Sequence, residues 1–293
     1  MDTSINAIEV QGLTKTYKRT GFCLNDISFT VPAGSIMGLV GENGSGKTTA
    51  IGCILNNLIK DNGTVKIFGN EMTDTDTHIR EDIGAMFDSN SFPEHLTPAR
   101  ISSAMKHIYT RWDDGLFKSY LSKFKLSEKK SIRTLSRGMT MKLGIAVALS
   151  HHPKLLILDE STAGLDPIMR NDILDVLLEF VGDEGHSVLL SSHITADLEK
   201  IADYITFIHE GSIILSEKKD DIIYNYGIMR CTAAQFEQVN REDILAYRRQ
   251  DYQIDVLLSN KQAAEAKYRD IVMDSATIEE MMLIIVKGEA GLK

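Results

Sequence analysis

The spacing of apolar residues predicts alternating strands and helices along most of the chain. Within residues 7–31, apolar and polar residues alternate with period two, which is typical of half-buried strands. A continuous apolar run at residues 36–40 predicts a buried parallel strand that ends in a glycine-rich loop. A helix that ends at Asn62–Gly63 is then predicted from apolar residues at helical spacing, namely Ile51, Ile54, Leu55, Leu58 and Ile59.

The pattern changes twice farther along the chain. Residues 92–133 predict a mostly helical insert, in which Thr97–Pro98 opens one helix and a second helix follows Asp113. Beyond residue 138, helices alternate with short apolar strands, which predicts a parallel sheet flanked by helices. The pattern restarts near residue 227 and includes a capping box at Thr277–Glu280. We therefore expect a large α/β domain at residues 1–226 and a small α/β accessory domain at residues 227–293.

The composition argues against several classes of protein. The net charge of −9 argues against nucleic-acid binding, which normally requires a basic face. Cys23, Cys53 and Cys231 are widely spaced and odd in number, so we expect neither a disulfide framework nor a zinc site, and a reducing cytosol fits. No apolar run approaches the roughly 20 residues of a membrane span, so we do not expect the chain to cross a membrane by itself.

The glycine-rich loop carries the strongest chemical signal. Residues 41–48 match GxxxxGK[ST] between a predicted strand and a predicted helix. Glycines allow successive backbone N–H groups to point at phosphate oxygens, and the helix that follows adds its N-terminal dipole. Lys47 can reach the β- and γ-phosphates, and Thr48 can place its hydroxyl on Mg²⁺. The residues that we expect to contact ATP here are Gly41, Glu42, Asn43, Gly44, Ser45, Gly46, Lys47, Thr48 and Thr49.

The apolar strand at residues 155–158 ends in two acidic residues, Asp159 and Glu160. In a P-loop fold an acid at this place holds Mg²⁺, so Asp159 is the predicted magnesium partner. Glu160 is expected to face the other side of the strand end, where it could polarise a water for attack on the γ-phosphate.

Four further segments occur in an order that identifies a family. Residues 135–139 read Leu-Ser-Arg-Gly-Met and resemble the ABC signature LSGGQ. Residues 161–167 resemble the D-loop region, His193 resembles the switch histidine, and Tyr17 resembles the aromatic residue that stacks on adenine. Together with the P-loop they cover about residues 5–225, and the chain resembles the ATP-binding subunits of ABC transporters. The resemblance implies an ABC-type P-loop NTPase with a parallel-sheet core, an N-terminal antiparallel β subdomain and a helical insert.

The resemblance also implies a mechanism. Two ATPase subunits, identical or paralogous, face each other head to tail. The signature of one subunit, through Ser136 and Gly138, closes over the ATP that the P-loop of the other subunit holds. His193 would contact the γ-phosphate and hold the water and Glu160 in line, and Asp166 of the D-loop region would belong to the nucleotide site. The implied catalytic residues are Lys47, Glu160 and His193.

Several positions depart from the family pattern. Asp88 stands where the Q-loop usually has glutamine, and its carboxylate could still bind Mg²⁺. Arg137 and Met139 replace the signature glycine and glutamine, and we expect Arg137 to place positive charge near the partner's phosphate. Ser161 replaces the usual proline. This form is similar to bacterial exporter ATPases that pair with ABC-2-type permeases and are associated with drugs, bacteriocin-like peptides or ions.

The resemblance implies a cytoplasmic protein that works at the inner face of the cell membrane through a separate permease. The helical insert would contact that permease, and an exposed apolar patch there would be the docking surface. Phe92, Pro93, Trp112 and Phe117 are the candidates, although Trp112 is expected to pack into the insert's own core.

Three other functions remain open at this point. A non-transport ABC ATPase usually has two such domains in one chain or a long coiled coil, and this sequence has neither. A monomeric P-loop kinase or GTPase would not need the signature or His193. A weakly catalytic, regulatory ABC subunit is consistent with the unusual Asp88 and Met139. It is disfavoured by the intact catalytic set of Lys47, Asp159, Glu160 and His193.

Overall fold

The computed structural model describes residues 5–73, 76–87, 92–182 and 185–290, and it divides into two compact units, residues 1–214 and 215–293. No helix among these described residues is long and apolar enough to span a bilayer. The elements of the first unit are, in chain order, β1 (Asn6–Thr16), β2 (Cys23–Pro32), β3 (Ile36–Val40), α1 (Lys47–Ile54), β4 (Asn62–Ile67), β5 (Asn70–Glu71), α2 (Thr77–Glu81), β6 (Ile83–Met86), α3 (Pro98–Met105), α4 (Asp114–Lys123), α5 (Arg137–Leu149), β7 (Leu155–Asp159), α6 (Pro167–Gly182), β8 (Ser187–Ser192), α7 (Thr195–Ile201) and β9 (Tyr204–His209).

Two sheets form the first unit. One is antiparallel, with strand order β2-β1-β4-β5, and it confirms the expected N-terminal β subdomain. In the other, β9, β3, β8, β7 and β6 are parallel neighbours, and β10 (Ser212–Lys218), which continues into the second unit, completes its edge. Every residue of β3, β7 and β8 is buried, as expected for parallel strands covered on both faces. The carboxyl ends of β3, β7 and β8 therefore meet at one sheet edge.

Helix α1 is shorter than the sequence pattern predicts. It ends at Ile54, and Asn56 has a left-handed backbone with φ of 55°. The N–H groups of Asn57 and Leu58 both donate to the Gly52 carbonyl, and the Leu58 side chain folds back over Gly52. This turn buries part of Leu58 while Ile59 is 82% exposed. The prediction of a helix reaching Asn62 was wrong because Leu58 packs on the core from a turn.

The helical insert contains the two predicted helices. The Thr97 and Asp113 side chains cap α3 and α4 by accepting from the backbone N–H groups three residues later. The Trp112 ring lies 5.3 Å from that of Phe117, which is 2% exposed. Trp112 therefore packs inside the insert, as expected, and Phe117 also packs inside it, so the proposal of Phe117 as part of an exposed docking patch was wrong.

The second unit is built on an antiparallel sheet of order β14-β11-β13-β12-β15. The predicted capping box at Thr277 and Glu280 opens its last helix. The succession β11-α9-β12-β13-α10-β14 has the topology of a ferredoxin-like motif. The elements are α8 (Lys219–Asn225), β11 (Gly227–Cys231), α9 (Ala233–Phe236), β12 (Ile244–Arg249), β13 (Ile254–Leu258), α10 (Lys261–Lys267), β14 (Val272–Ser275), α11 (Ile278–Lys287) and β15 (Glu289–Ala290).

Candidate functional site

The phosphate-binding loop lies between β3 and α1, at the edge where the parallel strands end. Gly44 and Gly46 have φ values of 86° and 114°, a backbone that L side chains rarely adopt. A Cβ on Gly41 would lie 2.4 Å from both the Ile208 carbonyl oxygen and Ser45 Oγ. The glycines are therefore required because the loop curls tightly and passes close to the end of β9.

Lys47 is the first residue of α1, and its side chain is buried against this loop. Its Nζ donates to the Gly41 carbonyl at 2.7 Å and to the Glu42 carbonyl at 3.1 Å. The same atom lies 3.2 Å from Glu160 Oε1, and the two side chains are 5% and 14% exposed. The ammonium group is thus held over the mouth of the loop, where a phosphate oxygen could reach it.

Thr48 and Asp159 meet beside Lys47. Thr48 Oγ1 donates to Asp159 Oδ2 at 2.7 Å, and Ser191 Oγ donates to Asp159 Oδ1 at 2.5 Å. Among the described residues no group of three or more His, Cys, Asp or Glu side chains is arranged to hold a metal ion. A hydroxyl and one carboxylate nevertheless fit Mg²⁺, which binds few protein oxygens and shares the rest of its coordination with water and substrate phosphates.

Glu160, directly after β7, contacts the end of β8 and the start of α1. Its backbone has a φ of 51°, and its N–H donates to the carbonyl and hydroxyl oxygens of Ser191 at 3.2 and 3.1 Å. Its Oε2 lies 2.6 Å from His193 Nδ1, while Oε1 faces Lys47. The predicted catalytic residues Lys47, Glu160 and His193 therefore form one continuous chain of polar contacts.

A pocket of about 390 Å³ opens over Lys47 and Glu160 of this chain of contacts. Tyr17 lies on its wall, and the turn that carries Tyr17 is closed by a hydrogen bond from its N–H to the Phe22 carbonyl at 2.8 Å. The Tyr17 and Phe22 rings are 6.4 Å apart. The pocket thus has an aromatic end for a base and a charged end for phosphates, and its lining consists of Tyr17, Thr20, Phe22, Asn43, Gly44, Gly46, Lys47, Thr48, Thr49 and Glu160.

Two of the predicted nucleotide contacts turn away from this pocket. The Glu42 carboxylate lies 3.3 Å from His209 Nδ1 at the end of β9. The Ser45 hydroxyl is buried against Gly41. The predicted magnesium ligand Asp88 lies outside the described residues.

The signature and D-loop residues are apart from the pocket lining. Ser136 is exposed and caps α5, where its Oγ accepts from Met139 N at 3.3 Å, and Gly138 is buried in the first turn of that helix. Asp166 Oδ1 accepts from the N–H groups of Ile168 and Met169, both at 3.0 Å, at the start of α6. The structure of one subunit therefore does not bring Ser136, Gly138 or Asp166 to its own phosphate loop.

Sequence reasoning missed Ser191, Thr20 and Phe22 among the residues of this site. Ser191 ends a predicted strand beside the one that carries Asp159, and that adjacency was the only signal that could have identified it. Phe22 is an aromatic residue immediately before β2, a position that is more often filled for packing alone.

Comparison with known proteins gives concordant matches. The profile of the ABC transporter family matches residues 24–163. The chain is 35% identical to the bacitracin transport ATP-binding protein BcrA of Enterococcus faecalis, over 71% of this chain and 68% of that protein. It is 34% identical to the lantibiotic transport ATP-binding protein SrtF of Streptococcus pyogenes, over 73% and 91%. The solved structure of an ATP-binding subunit of an ABC transporter superposes with a TM-score of 0.67 at 27% identity, over 74% of this chain and 91% of that one.

Proposed function

Because this chain belongs to the ABC transporter family of ATP-binding proteins, we propose that it hydrolyses Mg²⁺-bound ATP to drive export of a peptide antibiotic or drug through a separate membrane permease. The observation that best supports this function is the continuous contact Lys47–Glu160–His193 beside the Thr48–Asp159 pair. Lys47, Thr48 and Glu160 of this cluster line the charged end of the pocket.

Each side chain of this cluster has a role that follows from its chemistry. Lys47 binds phosphate oxygens, and Thr48 and Asp159 hold Mg²⁺, which neutralises phosphate charge when bound. Glu160 accepts a proton from the attacking water, and His193 orients Glu160 through the 2.6 Å contact. The Tyr17 ring stacks on the adenine base.

A second subunit completes the site. Ser136 is exposed at the positive N-terminus of α5, and its hydroxyl and the first N–H groups of the helix suit a γ-phosphate. Since one subunit keeps this surface apart from its own pocket, the phosphate comes from a partner ATPase, identical or paralogous. Asp166 lies beside the same surface because α6 begins against the first turn of α5.

The permease partner docks at a groove between the insert and the sheet. The groove has a volume of about 320 Å³ and presents mostly apolar side chains, together with the polar residues Asn57, Thr77, Arg80 and Glu81. Ile108, on its rim, is 62% exposed. An amphipathic cytoplasmic helix of the permease fits such a surface, and docking there places the chain at the inner face of the membrane. The apolar lining consists of Leu55, Met72, Ile83, Ala85, Ile108 and Tyr109.

Two measurements test the proposal. ATPase activity of the purified chain should be lost in Lys47→Ala, and it should rise when the permease that co-purifies with the chain is added in liposomes. Ile108→Glu should abolish that co-purification, whereas Ile59→Glu, an exposed isoleucine that does not line the groove, should not. Hydrolysis that no membrane protein stimulates would point instead to a non-transport or regulatory ATPase.

The cargo is tested in cells. A susceptible bacterium that expresses the chain with its permease should survive higher concentrations of bacitracin or a lantibiotic, and Glu160→Gln should remove that resistance. Unchanged susceptibility to both, with intact ATPase activity, would contradict the assignment of a peptide antibiotic as the cargo.

A further inference from the structure

Arg137, the residue that replaces a signature glycine, lies against the D-loop region of its own chain. A Cβ on Gly164 would lie 3.0 Å from Arg137 Nη1 and 3.3 Å from Cζ. Gly164 has a φ of 71°, so a side chain there would be strained as well as crowded. The guanidinium group therefore covers the turn at Gly164 in van der Waals contact.

The next residue of the signature packs against the first turn of α6 and against Leu165 of the preceding turn. A Cβ on Gly138 would lie 2.3 Å from Met169 Sδ and 3.4 Å from Leu165 Cδ2. Arg137 and Gly138 together fix the first turn of α5 against the segment that leads into α6. Gly138 and Leu165 are buried, and close packing of this kind transmits small displacements between neighbouring elements, while Arg137 and Gly164 lie on the exposed side of the same contact.

That segment is continuous with the proposed catalytic base. The N–H of Ala163 donates to the Glu160 carbonyl at 3.2 Å, and the N–H of Leu165 donates to the Thr162 carbonyl at 3.4 Å. The hydroxyl groups of Ser161 and Thr162 are fully buried and have no hydrogen-bond partner within the described part of the chain. Side-chain hydrogen bonds of these two residues therefore do not fix the turn. Arg170 Nη2 of α6 donates to the Leu165 carbonyl at 3.4 Å, and the packing of α5 holds the turn from its other side.

We propose that Arg137 is a positioning residue that holds the turn at residues 161–166, and through it Glu160, within its own subunit. This differs from the expectation that its charge acts on the partner's phosphate. The predicted effect on ATP hydrolysis rests on the proposed ATPase function, whereas the contact between Arg137 and the turn at Gly164 does not. It predicts that Arg137 controls the rate of hydrolysis more than the affinity for ATP.

Amide hydrogen exchange on the ATP-free monomer tests the contact without a partner subunit. Arg137→Ala should speed exchange at Ala163 and Leu165 at least tenfold, because these amides keep only the turn's own weak bonds. Arg133→Ala, an exposed arginine just ahead of the signature, is the matched control and should leave both rates unchanged. Equal exchange in Arg137→Ala and wild type would overturn the proposal. If Arg137→Ala does not fold, Arg137→Gln is measured in its place.

Mixed dimers show which site Arg137 serves. In the first mixed dimer, one subunit carries Arg137→Ala and the other carries Lys47→Ala. The only pocket that retains Lys47 then belongs to the Arg137→Ala chain, so kcat should fall about tenfold while KM stays within twofold. In the second mixed dimer, both substitutions are on one chain, and the pocket that retains Lys47 belongs to the wild-type chain. Its hydrolysis rate should equal that of a dimer of one wild-type chain and one Lys47→Ala chain. The reverse pattern, or a raised KM with unchanged kcat, would overturn the proposal. If no dimer hydrolyses ATP, the proposed function fails while the exchange measurement still decides on the contact.

Discussion

Replacing Ser191 with alanine should weaken both the folded state and the magnesium dependence of nucleotide binding. Ser191 Oγ donates to Asp159 Oδ1 at 2.5 Å, and it also accepts from the N–H of Glu160 at 3.1 Å. Ser191 is 0% exposed and Asp159 is 3% exposed, so water cannot replace the lost hydroxyl. The substitution therefore removes a buried hydrogen bond to a carboxylate while changing little volume.

The magnitude follows from that geometry. A hydrogen bond to a charged group contributes about 1.5–3 kcal/mol, so the free energy of unfolding should fall by roughly 2 kcal/mol. In Ser191→Ala the N–H of Glu160 keeps its second acceptor, the backbone carbonyl of residue 191 at 3.2 Å, so it adds little to the decrease in the free energy of unfolding. Substituting a group that orients a metal ligand typically lowers metal affinity by about 10–100-fold. The Mg²⁺ concentration at half-maximal ATP binding should therefore rise by at least about tenfold.

Ser187→Ala is the matched control. Ser187 lies on the same strand and is also 0% exposed, but its Oγ accepts from the neutral N–H of Gly34 at 2.9 Å. Urea denaturation should show a loss of about 1 kcal/mol for Ser187→Ala, and a magnesium titration with a fluorescent ATP analogue should show no change. If Ser191→Ala binds ATP with the wild-type magnesium midpoint, the reasoning that Ser191 orients Asp159 is refuted.

Two further predictions follow from the backbone and from burial. Gly46→Ala should abolish ATP binding in a fluorescence titration, because φ is 114° and a Cβ would lie 2.7 Å from Leu24 Cδ1. Wild-type affinity in that variant would contradict the strain argument. Burial lowers the pKa of His151, so below about pH 6.5 the unfolded chain binds more protons and stability should fall as the pH falls. His151→Phe keeps a ring against Tyr109 but cannot titrate. Between pH 7.5 and pH 5.5 its Tm should therefore change less than the Tm of the wild type. An equal change of Tm with pH in the two proteins would show that another group controls the pH dependence of stability.

The parts of the site that could be predicted from the sequence are those encoded in contiguous residues. The loop around Lys47 and the acids at the end of β7 come together because parallel strands place their carboxyl ends at one edge. His193 was placed in the same way, at the end of the strand between them. The structure brings Lys47, Glu160 and His193 into contact.

What the sequence did not predict depends on contacts between distant segments. Ser191 meets Asp159 only through strand pairing, and Arg137 meets Gly164 only because α5 packs on the start of α6. No local pattern distinguishes such a serine from any other strand residue. The early end of α1 has the same origin, because tertiary packing of Leu58 overrides the helical spacing.

The measurement that tests the account most directly is ATP hydrolysis and light scattering of Glu160→Gln with ATP and Mg²⁺. Removing the base should lower the hydrolysis rate by about 10²–10⁴-fold while ATP remains bound and holds two subunits together. Glu179→Gln, an exposed glutamate that pairs with Lys123 on the surface, should hydrolyse ATP at the wild-type rate. If Glu160→Gln binds ATP, stays monomeric and hydrolyses it at the wild-type rate, both the base role of Glu160 and the two-subunit site are contradicted.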